Sequence, residues 1–226
     1  FVHRFCVNLA PERTNFYKSW MNDDPRRHAP ATSRNRAPIL KVLCEHLPQL
    51  GTILEIASGT GEHISYFARA MPHLNWQPTD IDTGALLSTA AYCKDASLAN
   101  LALPKRLDVM SSNCPYTQLA GVLCINMIHI APWSCSAGLI SGAAQVLEGN
   151  GPLVLYGPFK RNGIHTAPTN ETFDRMLQSK NPEWGVRDIE AVEAIARDAG
   201  LDESTAIEMP SNNCCLILRR DIYGLK

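Results

Sequence analysis

The chain has 226 residues, 45% hydrophobic and 19% charged, a balance that buries a substantial core and is neither collagen-like nor disordered. Lys and Arg (21) nearly cancel Asp and Glu (22), leaving a net charge of −1 and a pI near 6.7, so there is no global electrostatic grip on nucleic acid or an acidic membrane. No apolar run approaches the ~18 residues of a membrane span, and the length suits one large α/β domain.

Residues 1–30 read as a polar, irregular, flexible or lid-like arm without the long apolar core of a secretory signal. Tyr17 and Trp20 are its candidate apolar lid residues, and the domain proper is expected over 31–226. From about residue 38 short apolar runs alternate with helical patterns, the signature of βαβ units and a parallel sheet. Ile39, Leu40, Leu43, Cys44 and Leu47 share one face of a helix that Pro48 ends. Thr52 to Ala57 is the first buried strand, followed by a glycine-bearing turn and a helix carrying Ile64, Phe67, Ala68 and Met71. Strand two is expected over Leu74–Thr79, its helix over Gly84–Cys93, and strand three ends near Leu107-Asp108-Val109. Strand four is Val122–Asn126, with a helix over about Cys135–Leu147, and strand five is Leu153–Tyr156. A polar Gly/Pro-rich loop covers Gly157 to Pro168, longer than the ~2–6 residues usual for such connections. Two helices (about 170–180 and 188–199) precede two strands around Ala206–Met209 and Cys214–Leu218, joined by Pro210–Asn213 as an antiparallel hairpin at the sheet edge.

Eight cysteines are present, none in CxxC spacing, and several, such as Cys124, sit inside apolar runs. They read as reduced structural thiols in a reducing, cytoplasmic setting, with no metal site expected.

The most informative stretch is Ile53-Leu54-Glu55-Ile56-Ala57-Ser58-Gly59-Thr60-Gly61-Glu62-His63, where a buried strand ends in an acid and turns through two glycines into a helix. Glycines there let the backbone approach a ligand with no Cβ in the way. A GxGxxG dinucleotide fingerprint needs a glycine or alanine where this chain has Ile64, which disfavours a nicotinamide-dependent oxidoreductase. An acid ahead of the turn suits a ligand with a cationic amino acid tail and no phosphate.

Glu55 through Gly61 resembles the first motif of class I S-adenosylmethionine-dependent methyltransferases, acid-x-Gly-x-Gly-x-Gly, with Ala57 at the first glycine position. More specifically the chain is similar to the methyltransferase-like twenty-six family, a domain of unknown function. The segments 33–39, 54–63, 76–82, 124–133, 155–159, 165–168, 181–188 and 208–213 carry this likeness over about residues 30–220. The resemblance implies an α/β Rossmann-like fold with a seven-stranded, mostly parallel sheet and an antiparallel last strand. It implies S-adenosylmethionine as cofactor and S-adenosylhomocysteine as product. It places Asp80 on the ribose hydroxyls and Asp108, with Val109, at the adenine amino group. The implied cofactor set is Arg36, Glu55, Ala57, Ser58, Gly59, Gly61, Asp80, Ile81, Asp108, Val109 and Asn126. Asp82 reads as a helix N-cap, and Asp108 alternatively as a turn former.

Asn126-Met127-Ile128-His129 ends strand four, where open α/β sheets place reacting groups. Met127, Ile128 and His129 do not fit the Asn/Asp-Pro-Pro-Tyr/Phe pattern of enzymes that methylate amino groups on nucleobases or glutamine, which disfavours nucleic-acid bases as acceptors. His129 is either a general base for a hydroxyl or thiol or a buried or capping imidazole. His165 and Tyr156 are candidate walls of the acceptor site, His165 alternatively a solvated loop residue. Arg34, Asn35 and Arg36 form either a clamp for a carboxylate or a solvated helix start. The expected reaction is methyl transfer to a nucleophile, oxygen or thiol favoured, on a small molecule, with neither nucleic acid nor membrane as partner. The alternative is a cofactor-binding module without catalysis that acts as a partner or sensor.

Overall fold

A computed structural model describes residues 24–111 and 114–221, so Tyr17 and Trp20 of the expected lid lie outside the described residues. In chain order the elements are α1 (Pro30–His46), β1 (Thr52–Ile56), α2 (Glu62–Ala70), β2 (Asn75–Asp80), α3 (Thr83–Ala96), β3 (Lys105–Arg106), β4 (Gly121–Ile125), α4 (Trp133–Val146) and β5 (Leu153–Gly157). They continue with β6 (Phe159–Arg161), β7 (Ile164–His165), α5 (Pro168–Lys180), β8 (Arg187–Asp188), α6 (Ile189–Asp198), β9 (Glu203–Met209) and β10 (Asn213–Arg219).

Seven strands form one sheet in the order β3-β2-β1-β4-β5-β10-β9. The first five are parallel, and β10 runs antiparallel to both β5 and β9, as the sequence led us to expect. Its strands read as continuous apolar runs because both faces are covered. Successive residues feed opposite cores: Ile53, Val154 and Tyr156 pack with α1 and α2, while Leu54, Leu153 and Leu155 pack with α4 and α6. The chain steps outward from β1 to β2 and β3 and then returns to β4, so the strand order reverses between β1 and β4. A crevice opens outside the carboxyl ends of these two strands, the usual ligand position in such sheets.

Two expectations are corrected. The third strand stops at Arg106 instead of reaching Asp108–Val109, because it is a two-residue edge ladder entered through Pro104, and only the Leu107 N–H continues to the Asp80 carbonyl. The stretch after β5 is not an open loop. Asn162 and Gly163, both with positive φ (50° and 75°), make the tight turn of a β6–β7 hairpin, and Asn-Gly is the strongest short hairpin signal. β6 then pairs with β8, so a second, three-stranded sheet stands beside the main one.

Residues 24–29 lie across the starts of α2 and α3. The Arg27 N–H donates to Ser88 Oγ (2.8 Å), its guanidinium to Asp82 (2.9 Å), and the Ala29 N–H to Glu62 (2.9 Å). Among the described residues no helix is long and apolar enough to cross a membrane, and the described cysteines are all unbridged.

Candidate functional site

The turn after β1 takes left-handed backbone at three alternate residues: Ala57 (φ 56°), Gly59 (φ 59°) and Gly61 (φ 89°). These are the three glycine positions of the motif. At Gly61 a Cβ would also lie 2.6 Å from the Thr89 backbone, so both conformation and space demand glycine. Ala57 bears a strain that glycine would not, roughly 1–2 kcal/mol for an alanine, against ~0.4–1 kcal/mol of unfolded-chain entropy that glycine adds. Ala57→Gly is therefore expected to raise stability by up to ~1 kcal/mol in urea denaturation; a loss of that size would mean that packing of the Ala57 methyl dominates.

Asp80 at the end of β2 fixes this turn. Its Oδ2 accepts from the Gly59 N–H (2.9 Å) and its Oδ1 from the Asp82 N–H (2.9 Å). Asp82 caps α3 through the Ala85 N–H (2.7 Å), as expected. Ser58 is buried, its N–H donating to the Thr79 carbonyl (2.9 Å). Beneath the turn Glu55 is 2% exposed, and its Oε2 has no hydrogen-bond partner among the described residues. Burial pushes its pKa up to about 8, with the Asp80 charge adding to the rise and Ser58 opposing it.

On the other side of the crevice Asn126 follows β4 in left-handed backbone (φ 63°) and Tyr156 ends β5, its ring buried. Both line a cavity of about 380 Å³ together with Asn35 of α1, Asn170 and Phe173 of α5, and Asn213 of β10. Burial raises the Tyr156 phenol above its ordinary range, and the Asn35 amide beside it pulls the other way. Asn35 Oδ1 in turn accepts from His63 Nε2 (2.8 Å). Burial drives His63 down to about 4, with Arg36 adding to that, so the donor is a neutral imidazole. The His63–Asn35 hydrogen bond thus joins the glycine-turn helix to the cavity wall that Asn35 shares with Tyr156.

The two other expected catalytic side chains lie elsewhere. His129 is 1% exposed, stacked edge-on against Phe159 (5.1 Å between centroids), with neither ring nitrogen partnered among the described residues. Its ring abuts Gly157, where a Cβ would sit 2.3 Å from Nε2. Burial lowers its pKa to about 3, with Arg187 contributing. His165 Nε2 is 3.2 Å from Asp174 Oδ2, part of a buried knot in which Asp174 also meets Lys160 (2.8 Å) and accepts from the Val186 N–H (2.8 Å). Burial alone would raise the Asp174 carboxyl, but Lys160, Val186 and His165 hold it below the ordinary range.

The structure thus brings Glu55, Ala57, Ser58, Gly59, Gly61 and Asp80 into one turn and Asn126 and Tyr156 into one cavity, and leaves His129 and His165 outside both. Arg36 lies over the Tyr66 ring (4.7 Å) and Ile81 is half exposed. Asp108 is exposed and accepts from the Met110 N–H (2.9 Å), a turn-former's bond. With Val109 it borders an apolar recess lined by Ile56, Leu107 and Leu139. Sequence reasoning missed His63, Gly157, Asn170, Asp174 and Arg187. Arg187 clamps the turn after β4 by donating to the carbonyls of Ile128 (2.8 Å) and Ala131 (2.6 Å). Only His63 carried a signal, its place two residues past Gly61.

A family model described as "Protein of unknown function (DUF938)" matches residues 26–220. Among solved structures, an O-methyltransferase family protein from Burkholderia thailandensis is similar at 17% identity and TM-score 0.73, over 84% of this chain and 57% of that one. Human N-acetylserotonin methyltransferase, solved with SAM, matches at 10% identity and TM-score 0.69, over 84% of this chain and 52% of that one. A putative sarcosine dimethylglycine methyltransferase from Galdieria sulphuraria matches at 12% identity and TM-score 0.65, over 92% of this chain and 97% of that one. The chain thus spans little more than half the length of the first two. These likenesses establish a shared Rossmann-like methyltransferase fold.

Proposed function

This chain belongs to the family described as DUF938, and from that premise we propose that it transfers a methyl group from S-adenosylmethionine to an oxygen or thiol of a small molecule. The likeness to the methyltransferase-like twenty-six family is part of this reading. One observation carries it: the left-handed turn at 57, 59 and 61 is tied to Asp80 above an unpartnered, buried Glu55, at the point where the strand order reverses.

The residues fit the group. Each Asp80 oxygen has spent one lone pair on a backbone N–H and keeps another for a ribose hydroxyl. At Gly59 a Cβ would meet only the Ala57 carbonyl oxygen, at 3.9 Å, so the main chain can approach a ligand closely. Ile81 and Val109 would flank the adenine beside the apolar recess, with Asp108 at its amino group and Arg36 toward the amino acid carboxylate. Bound there, S-adenosylmethionine would supply an electrophilic methyl on cationic sulfur and leave as S-adenosylhomocysteine. Tyr156, kept a neutral phenol by burial, and Asn126 orient the acceptor. The acceptor's proton leaves through the cavity to water. An imidazole with a pKa of about 3 is too weak a base to hold that proton, so in this reading His129 packs behind Asn126 and Gly157.

Calorimetry tests the cofactor half. Free Glu55 is mainly protonated at pH 7, and a cationic ligand beside it favours the carboxylate. Binding at pH 7 is expected to release up to one proton, to tighten as pH rises toward 8, and to lose this dependence in Glu55→Gln. Proton-free, pH-independent binding would remove Glu55 from the site, and no binding would remove the reading. The sensor alternative is favoured by one fact: among the described residues no imidazole or carboxylate lines the cavity. Formation of S-adenosylhomocysteine that depends on an added metabolite extract separates the two.

A further inference from the structure

The cavity beside Tyr156 has a hydrogen-bond polarity that its residue names do not reveal. Asn170 on α5 is 5% exposed, and its amide nitrogen spends both hydrogens, on the Asn212 carbonyl (2.8 Å) and on Thr166 Oγ1 (3.0 Å). The Asn213 amide nitrogen likewise donates to the carbonyls of Pro210 (3.1 Å) and Ser211 (3.3 Å). Carbonyl partners accept only, so both amides are locked with nitrogen toward the protein, and the unpartnered polar atom of each is its Oδ1. The wall made by α5 and the β9–β10 turn therefore presents fixed acceptors. Across the cavity the Asn35 amide group lies beside the Tyr156 phenol, its Oδ1 already held by His63, and the phenolic hydroxyl has a hydrogen to donate inward. The hydroxyls of Thr169 and Ser211 rotate to either role. No Asp, Glu, Lys, Arg or His side chain lines the space among the described residues, and Asp174, on the same helix as Asn170, is paired with Lys160.

We propose that this cavity selects an uncharged small molecule that donates hydrogen bonds, through hydroxyl or amide N–H groups, to Asn170 and Asn213, and presents a lone pair to Tyr156. This rests on the methyl-transfer reading, whose acceptor site it specifies. A carboxylate or phosphate would meet acceptor oxygens and no cationic donor, whereas anion sites are built from N–H groups and guanidinium or ammonium. An ammonium would shed its water with no counter-charge. An acceptor-only ligand would cover the Asn170 and Asn213 amide oxygens without pairing them, the condition that makes hydroxyl-binding sites selective.

Matched aryl carboxamides, methyl esters and carboxylates are the probes, titrated by ligand-observed NMR against the full chain with and without S-adenosylhomocysteine. Carboxamides are expected to bind about tenfold tighter than their esters, the cost of one unpaired buried group, and carboxylates weakest. Ala31→Trp, an exposed α1 residue at the cavity mouth whose backbone bonds survive the change, is expected to abolish carboxamide binding and leave S-adenosylhomocysteine affinity unchanged. Asn170→Leu should erase the preference for amide over ester. Carboxylates binding as tightly as carboxamides, carboxamide binding indifferent to Ala31→Trp, or no probe binding at all would each overturn the proposal. S-adenosylhomocysteine affinity, measured separately on the same protein, reports on the methyl-transfer reading alone.

Discussion

Asp174→Ala should cost about 3–5 kcal/mol of stability at pH 7, the range for removing one partner of a buried ion pair. The carboxylate side chain is 5% exposed and meets Lys160 (2.8 Å) and His165 (3.2 Å) from the β6–β7 hairpin, while the N–H of Val186 donates to it from the segment before β8. Its loss strands the Lys160 cation, 22% exposed, and a buried main-chain donor at once. The shift belongs in the urea midpoint; less than ~1 kcal/mol would mean water replaces the carboxylate. The folded carboxyl lies below its ordinary 3.8, so the contribution is complete above about pH 4 and fades as the solution is acidified through the folded value. Pairing Lys160→Met with Asp174→Leu should recover only part of the loss, since it removes the stranded cation but leaves the Val186 N–H without its acceptor. The knot reaches further than its own sheet. Val186 adjoins Gly185, whose N–H donates to the His129 carbonyl (2.9 Å), so the variant should also loosen the turn that carries Asn126.

Asp80→Asn is expected to weaken S-adenosylhomocysteine binding by about 2–3 kcal/mol, roughly 30–150-fold, from charge-assisted bonds to hydroxyls and from the Gly59 tether. Only one amide oxygen would remain for the two N–H groups that now share the carboxylate. Asp82→Ala is the control: it removes the α3 cap and the Arg27 contact, costs ~1 kcal/mol of stability, and should leave affinity unchanged. Equal affinity in wild type and Asp80→Asn, measured by calorimetry, would move the nucleoside away from β2.

The legible parts of the fold were those written locally. Apolar strands bounded by turns, and helices with Ile39, Leu43 and Leu47 or Ile64, Phe67 and Ala68 on one face, are short-range patterns that tertiary packing then repeats, although α1 buries Val42 and leaves the expected Cys44 exposed. The glycine turn was legible because left-handed backbone restricts residue type, even with Ala57 standing in. The Asn162–Gly163 turn was equally local, yet the surrounding Gly and Pro outweighed it. What could not be read was pairing across distance. Asn35 and His63 belong to different helices, and Asp174 looks like any polar residue of an exposed helix until Lys160, His165 and Val186 converge on it. His129 carried a misleading cue: a histidine at a strand end suggests reactivity, but Ile128 beside it and the bare Cα of Gly157 make a niche that swallows the ring.

Because β10 runs against its neighbours, its start stands level with the end of β5, its second residue Cys214 lying opposite Gly157. A parallel strand in that position would begin at the far edge, and its entry turn would be remote from the crevice. The reversal instead delivers Ser211 and Asn213 to the rim opposite Asp80 and the glycine turn. In the proposed reaction the nucleoside contacts of β1 and β2 and the acceptor contacts of the β9–β10 turn therefore lie in separate stretches of chain, with Asn126 between them. Under the proposed reaction, exchanging the Pro210–Asn212 corner would alter the acceptor wall and leave the glycine turn untouched.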